Sequence, residues 1–362
     1  KHIILKIMTD LKLNYPTIDA EEIVLQNFIT ENKANFKNYL RFPNYQGSKD
    51  DILIASNWLN IDKFVSSNII DIIVCNSANH SLSCLLQTLK HTHKCIITEP
   101  FTYPAFKTIA LNNGFELVAS DFDNKGLTLE GLEKCYAKTK AKLIYLQPTI
   151  HNPTCLVMPL ERRIEIAEFA RKNDILLIED DAYRFLHPNP PLRLLDLIPE
   201  NTFHIFSLSK PFNPFVKTAY LTTPVAFKNE IVDSLRLTSS GSSSLLSSLS
   251  AYILTNNRVD NIIAEKQALA LHLQKAITPI IKNLSFQTFD TSFHMWLKLP
   301  HGIKSDRIVN ELLGKSIVIP NGKDFAVNNS TEKENFIRIA LGAEKNIEKL
   351  QTAITEVVHA IG

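Results

Sequence analysis

The sequence predicts an α/β chain in which a mostly parallel, seven-stranded sheet is covered by helices and followed by a smaller α+β part. Three observations lead there. Short β-branched or apolar runs recur at 71 to 75, 94 to 98, 115 to 119, 142 to 147, 175 to 179, 203 to 207 and 218 to 222. Between most of them lie apolar residues at helical spacing, such as Leu82, Leu85, Leu86 and Leu89, or Ile164, Ile166, Phe169 and Ala170, so strand and helix alternate. At 362 residues the chain exceeds one ordinary domain of roughly 150 residues.

The elements follow in order. The run at 71 to 75 leads through Ser77, Ala78 and Asn79 into a helix beginning near His80. The runs at 203 to 207 and 218 to 222 are separated by only about ten residues, too few for a crossover helix, so one antiparallel strand is expected. Ser239 to Ser250 is serine-rich, but Leu245, Leu246 and Leu249 interrupt it at near-helical spacing, which favours a helical turn over a flexible linker. A long helix is expected from Val259 to about Lys282. Short strands at 286 to 289, 293 to 299, 317 to 319 and 336 to 341 and a helix from Glu344 to about Ala360 complete the α+β part. Residues 40–250 are expected to form the large domain, with 1–39 and 251–362 forming the small one.

Composition removes several classes. Hydrophobic residues make up 45% and charged residues 21%, which are globular values. A net charge of +2 gives no concentrated field for nucleic acid. Only ten glycines occur, where average usage would give roughly 25. No G-x-G-x-x-G exists, and Gly126 to Gly131 continues Leu132-Glu133 where a P-loop needs Lys and Ser/Thr. The G-x-S-x-G, H-E-x-x-H and C-x-x-C patterns are also missing, so no metal is expected. Cys75, Cys84, Cys95, Cys135 and Cys155 form an odd set, read as reduced, mostly buried thiols of a cytoplasmic protein. No apolar run approaches the roughly 18 residues of a membrane span, and Lys6 cuts short the opening Ile3-Ile4-Leu5. The chain opens on Lys1 rather than Met, which leaves room for a segment upstream.

The decisive residues lie at the expected carboxyl ends of three strands, the edge where open α/β sheets bind ligands. Gln147-Pro-Thr-Ile-His-Asn152-Pro153-Thr154 follows the first, Asp180-Asp181-Ala182-Tyr183 ends the second, and Ser207-Leu208-Ser209-Lys210 ends the third. Each has a bland reading: a lone lysine after a strand is usually solvated, Asn-Pro-Thr is usually a turn, and Asp-Asp before Tyr commonly starts a loop. Together they supply a carboxylate, an amide, a phenol and a lysine on one edge, the set that pyridoxal phosphate requires. His80, His91, His93 and His151 are read as solvated or structural.

On these residues the chain resembles the fold-type I pyridoxal-phosphate aminotransferases of the class I/II branch, which includes the aminotransferase-like domain of MocR-type regulators. The resemblance runs from about Tyr39 to the C-terminus, and the 28 residues from Asn152 to Asp180 match the separation expected in this branch. It implies that Lys210 forms the Schiff base with pyridoxal phosphate and that Asp180 pairs with the ring nitrogen. Asn152 and Tyr183 would bond the ring oxygen, and Tyr103 would stack on the ring. Ser77, Ala78, Asn79, Ser207 and Lys217 would hold the phosphate, and Ser209 would also belong to the cofactor site. Arg338, in Asn335-Phe336-Ile337-Arg338-Ile339, would bind the substrate α-carboxylate as a fork. The family usually has glycine where Ser77 stands, arginine where Lys217 stands, and a tyrosine reaching the neighbouring subunit where Phe42 stands.

The implied activity is transfer of the amino group of an α-amino acid to a 2-oxo acid by a homodimer. Its alternatives are a lyase on the same fold and the ligand-sensing domain of a MocR-type regulator. With no second arginine assignable to a distal carboxylate, the substrate side chain leans apolar or aromatic.

Overall fold

A computed structural model describes residues 8–40, 42–327 and 335–362. The expectations resting on Lys1 and on Ile3 to Lys6 lie outside the described residues. Fourteen strands occur among the described residues: β1 (Thr9–Asp10), β2 (Ile70–Cys75), β3 (Cys95–Thr98), β4 (Glu116–Ala119), β5 (Phe122–Asp123), β6 (Gly126–Leu127), β7 (Leu143–Leu146), β8 (Leu176–Asp180), β9 (Thr202–Ser207), β10 (Ala219–Pro224), β11 (Ser285–Gln287), β12 (His294–Lys298), β13 (Ile317–Val318) and β14 (Phe336–Ala340).

Seven of them form the main sheet in the order β2-β10-β9-β8-β7-β3-β4. β10 alone is antiparallel to its neighbours, β2 and β9, while the other pairs are parallel. The short connection before β10 explains this, since it is a tight return with no crossover helix. The register pairs Asp180 with Ile205, Ser207 with Ala219 and Cys75 with Ala219. The carboxyl ends of β2, β8 and β9 are thereby brought to one edge.

Alternation along each strand sends side chains to both faces of this sheet. Ile73, Cys75, Tyr145, Ile178 and Phe203 pack on one face with Leu82, Leu85 and Leu89 of the helix Ala78–Leu89. Ile144, Leu146 and Leu177 pack on the other with Ile166, Ala167 and Ala170 of the helix Leu160–Lys172. Ile72, Val74 and Tyr220 join a further cluster with Phe28, on the helix Asp19–Glu31, and Ile253, which ends the helix Ser244–Ile253. The serine-rich stretch therefore does enter a helix.

The other sheet is three-stranded and antiparallel, in the order β11-β12-β14. The helices Arg258–Ile281, Ser305–Gly314 and Ile347–Ile361 pack with it through Ile277, Ile308, Leu350 and Val357. The start of the described chain divides. Thr9–Asp10 pairs in parallel with Ile317–Val318, and Leu11 joins the core of the three-stranded sheet, whereas Asp19–Glu31 packs beside the main sheet. Residues 12 to 18 thus run from one packing unit to the other.

Candidate active site

A cavity of about 810 Å³ opens at the carboxyl edge of the main sheet. The fold brings eleven of the expected residues to its lining: Ser77, Ala78, Asn79, Tyr103, Asn152, Asp180, Tyr183, Ser207, Ser209, Lys210 and Arg338. Lys217 is not brought there. Its neighbours Val216 and Thr218 are buried and Lys217 is exposed, because alternation in the extended segment entering β10 turns every second side chain outward.

Asp180 ends β8 as a buried carboxylate. Its Oδ2 accepts from Tyr145 Oη at 2.7 Å and Gln147 Nε2 at 3.1 Å, and its Oδ1 accepts from the Ala182 N–H at 3.2 Å. Burial raises its proton affinity, and these donors oppose the rise. Tyr145 is itself fixed by stacking on Phe106, with centroids 3.4 Å apart. Behind this pair the carboxyl of Glu99, in the buried turn after β3, accepts from the Gln147 N–H at 3.1 Å. Burial pushes Glu99 up to about 8 and His151 down to about 3. Their 3.9 Å approach is therefore a contact of neutral groups at neutral pH.

Lys210 follows β9 by a tight turn in which Ser207 Oγ donates to the Thr218 carbonyl at 3.1 Å and accepts from the Ser209 N–H at 3.3 Å. The Lys210 amine donates to the Asn14 carbonyl at 2.7 Å and lies 3.4 Å from the Tyr15 ring centroid. Burial depresses its proton affinity well below that of an ordinary lysine, and the Arg338 cation adds to the effect. Lys266 lies behind it, donating to the Lys210 carbonyl at 3.2 Å and pairing with Glu21 at 2.7 Å.

Arg338, in the middle of β14, is 7% exposed. Its Nη1 donates to Asn152 Oδ1 at 2.9 Å, its Nη2 donates to the Lys12 carbonyl, and its Nε is buried without a partner. Tyr183 Oη accepts from Asn14 Nδ2 at 3.1 Å. Ser77 caps the helix Ala78–Leu89 by accepting from the His80 N–H at 3.1 Å, leaving the first N–H groups of that helix at the cavity wall. Tyr103 precedes the helix Pro104–Asn112 and donates to Asn79 Oδ1 at 3.2 Å.

Sequence reasoning missed Lys12, Asn14, Tyr15, Tyr145 and Phe325. Tyr145 reads as an ordinary buried strand residue, and the N-terminal trio carries no periodic signal. Gln147 was within the quoted stretch but had no role assigned to it. The histidines divide: His151 is buried, and His80 is half-buried, with its Nε2 2.9 Å from Thr238 Oγ1. Among the described residues all five cysteines are free, and no group of side chains suits a metal ion.

Comparison with known proteins bears on what this edge is for. The chain is 27% identical over 284 residues to the uncharacterized HTH-type transcriptional regulator YdeF of Bacillus subtilis, a match covering 78% of this chain and 61% of that protein. It is 34% identical over 122 residues to the aromatic amino acid aminotransferase C569.07 of Schizosaccharomyces pombe, covering 32% and 26% respectively. The chain thus spans about three fifths of the first relative's length. Among solved structures, the kynurenine aminotransferase of Pyrococcus horikoshii has the same fold, with a TM-score of 0.89 at 17% identity, covering 98% of this chain and 90% of that one. The family model for aminotransferase class I and II matches residues 6–357, and the chain belongs to that family.

Proposed function

We propose that this chain binds pyridoxal phosphate on Lys210 and uses it to move the amino group of an α-amino acid to a 2-oxo acid. The observation that carries the reading is the meeting in one cavity of Asp180 at the end of β8, Lys210 in the turn after β9 and Arg338 within β14. The residues fit the group. Asp180 keeps Oδ1 lightly satisfied, which suits a cationic ring N–H. Arg338 Nη1 occupies Asn152 Oδ1, so the Asn152 amide hydrogens are turned toward other acceptors. The helix N-terminus at Ala78 and Asn79 offers neutral donors to a phosphate, which the Ser207 and Ser209 hydroxyls would join by turning from the Thr218 and Val216 carbonyls.

Bound pyridoxal phosphate supplies a carbonyl that condenses with amines and a ring that accepts the electron pair released at the substrate Cα. Asp180 would hold a proton on the ring nitrogen by pairing with it. Lys210, whose proton affinity burial and the Arg338 cation depress, would act first as a nucleophile and then as the base that takes the Cα proton. Arg338 orients the substrate by its carboxylate, which would pair with Nε and displace the Lys12 carbonyl from Nη2. Tyr15, Tyr103 and Phe325, which line the cavity, would help exclude water from the reacting carbon.

A homodimer is part of this proposal, with Leu40 and Phe42, 88% and 75% exposed, as candidate contacts, as is a cytoplasmic location. Among the described residues no helix is long and apolar enough to cross a membrane. A second reading rests on the match to HTH-type regulators over most of this chain: the same cavity would bind the same ligands as a sensor, with little turnover. An amino-donor panel with 2-oxoglutarate as acceptor tests the proposal. Steady formation of the donor's oxo acid supports the enzyme. Spectral change on binding amino acids, with no multiple turnover for any donor, would overturn it in favour of the sensor.

A further inference from the structure

We infer that Asn14, held by His294, is a positioning residue for Tyr183: it occupies the accepting side of the phenol, so that the phenolic hydrogen is directed into the cavity. The inference rests on the cofactor reading proposed above and extends it to two residues outside the expected set.

The order of donors follows from which atoms have no choice. His294 begins β12 and is fully buried. Its Nε2 lies 3.2 Å from the His151 carbonyl. A carbonyl can only accept, so Nε2 carries the proton. Burial, with the Arg338 cation nearby, pushes His294 down to about 3, so the ring is neutral and its Nδ1 is an acceptor. Asn14 Nδ2 lies 3.2 Å from that Nδ1 and 3.1 Å from Tyr183 Oη. Turned the other way, the amide would set its oxygen against an acceptor nitrogen. His294 therefore fixes the amide with Nδ2 inward, and its two hydrogens serve His294 and Tyr183. Ser292 Oγ lies 3.1 Å from the same Nδ1, and accepts from the His294 N–H.

Tyr183 Oη, already accepting from Asn14, has its hydrogen left to donate, and Tyr183 lines the cavity. Burial raises the proton affinity of this phenol, so it remains a donor through the ordinary pH range. Asn14 itself is buried and lines the same cavity, and its Oδ1 has no partner. The titratable and charged groups around the phenol are Arg338, Tyr15 and Tyr103, with the Lys210 amine 5.3 Å from its ring centroid and the His294 ring at 5.2 Å. Apart from His294, none of these is altered by the variants below.

The test uses the full chain loaded with pyridoxal phosphate and follows its visible band against pH. A donor to the ring oxygen stabilises negative charge there and weakens its hold on the neighbouring proton, so losing that donor raises the titration midpoint. One hydrogen bond to a charged acceptor corresponds to a rise of about one to two pH units. Tyr183→Phe should show this rise. Asn14→Leu should raise the midpoint in the wild-type background and leave it in place when Tyr183 is already Phe, since coupled residues are not additive. His294→Leu should act like Asn14→Leu, whereas His294→Gln, whose amide offers one donor and one acceptor, should keep the wild-type midpoint. Equal shifts with and without Tyr183, or no shift in Asn14→Leu, would overturn the inference while leaving the cofactor reading intact. If Asn14→Leu does not hold cofactor, the two His294 variants decide by the same outcomes. A wild-type chain that shows no band overturns the cofactor reading and the inference together.

Discussion

Replacing Arg338 by alanine should weaken every α-amino acid and 2-oxo acid alike and spare amines that lack a carboxylate. Arg338 is 7% exposed, and Phe325 lies beneath its guanidinium with its centroid 5.1 Å away. A carboxylate arriving there forms a desolvated pair. Truncating one member of such a pair costs about 2 to 5 kcal/mol, or roughly thirtyfold to four thousandfold at about 1.4 kcal/mol per tenfold. Part of that loss is the Asn152 Oδ1 left without its 2.9 Å donor, so Arg338→Lys, which keeps charge but not the fork, should recover only a fraction. The assay is a spectral titration of the cofactor-loaded protein with an amino acid and, in parallel, with its decarboxylated amine. Equal weakening of both ligands, or loss of the cofactor itself, would show that Arg338 supports the fold and does not recognise the carboxylate.

Asp180→Asn should bind cofactor and retain the fold but lose turnover by orders of magnitude, because an amide cannot hold the ring nitrogen protonated; wild-type-like single-turnover rates would contradict this. Lys217→Ala should leave the cofactor dissociation constant unchanged, since the side chain is exposed outside the cavity, and a tenfold weakening would restore the phosphate role implied by the resemblance. Glu99→Gln should alter stability against pH in the cofactor-free protein. Between the ordinary carboxyl value and about 8 the folded chain keeps a proton that the unfolded chain releases, so Glu99 makes stability fall as pH rises, on the order of 1.4 kcal/mol per unit at most. The difference between variant and wild type from pH 5 to 8 in urea unfolding should show that slope, and parallel curves would refute it.

The main sheet was legible because its central strands are covered on both faces and read as continuous apolar runs. The antiparallel β10 was legible from the length of one connection. The hairpin of β5 and β6 was not read, although Gly126 opens β6 directly after its turn with φ +99. The helix Lys49–Trp58 had a readable start, since Ser48 and Asp51 form a capping box, but its apolar pattern is shallow.

The site divides in the same way. Asp180 ends a regular strand, Lys210 follows one by a tight turn, and both carry short motifs, so position and chemistry coincide. Arg338 was readable as a cation in an apolar strand, where burial without an anion is costly. Asn14 reaches Lys210 across 196 residues of sequence from a segment with no periodicity, and nothing local could announce it. Lys217 stands where the family carries arginine, but it is exposed and does not line the cavity.

The central claim is that Lys210 holds the cofactor covalently. Borohydride reduction of the cofactor-loaded chain, followed by peptide mapping, tests it most directly. The account predicts a pyridoxyl adduct on the peptide containing Lys210, abolished in Lys210→Ala. An adduct on another lysine, or none at saturating cofactor, would contradict it.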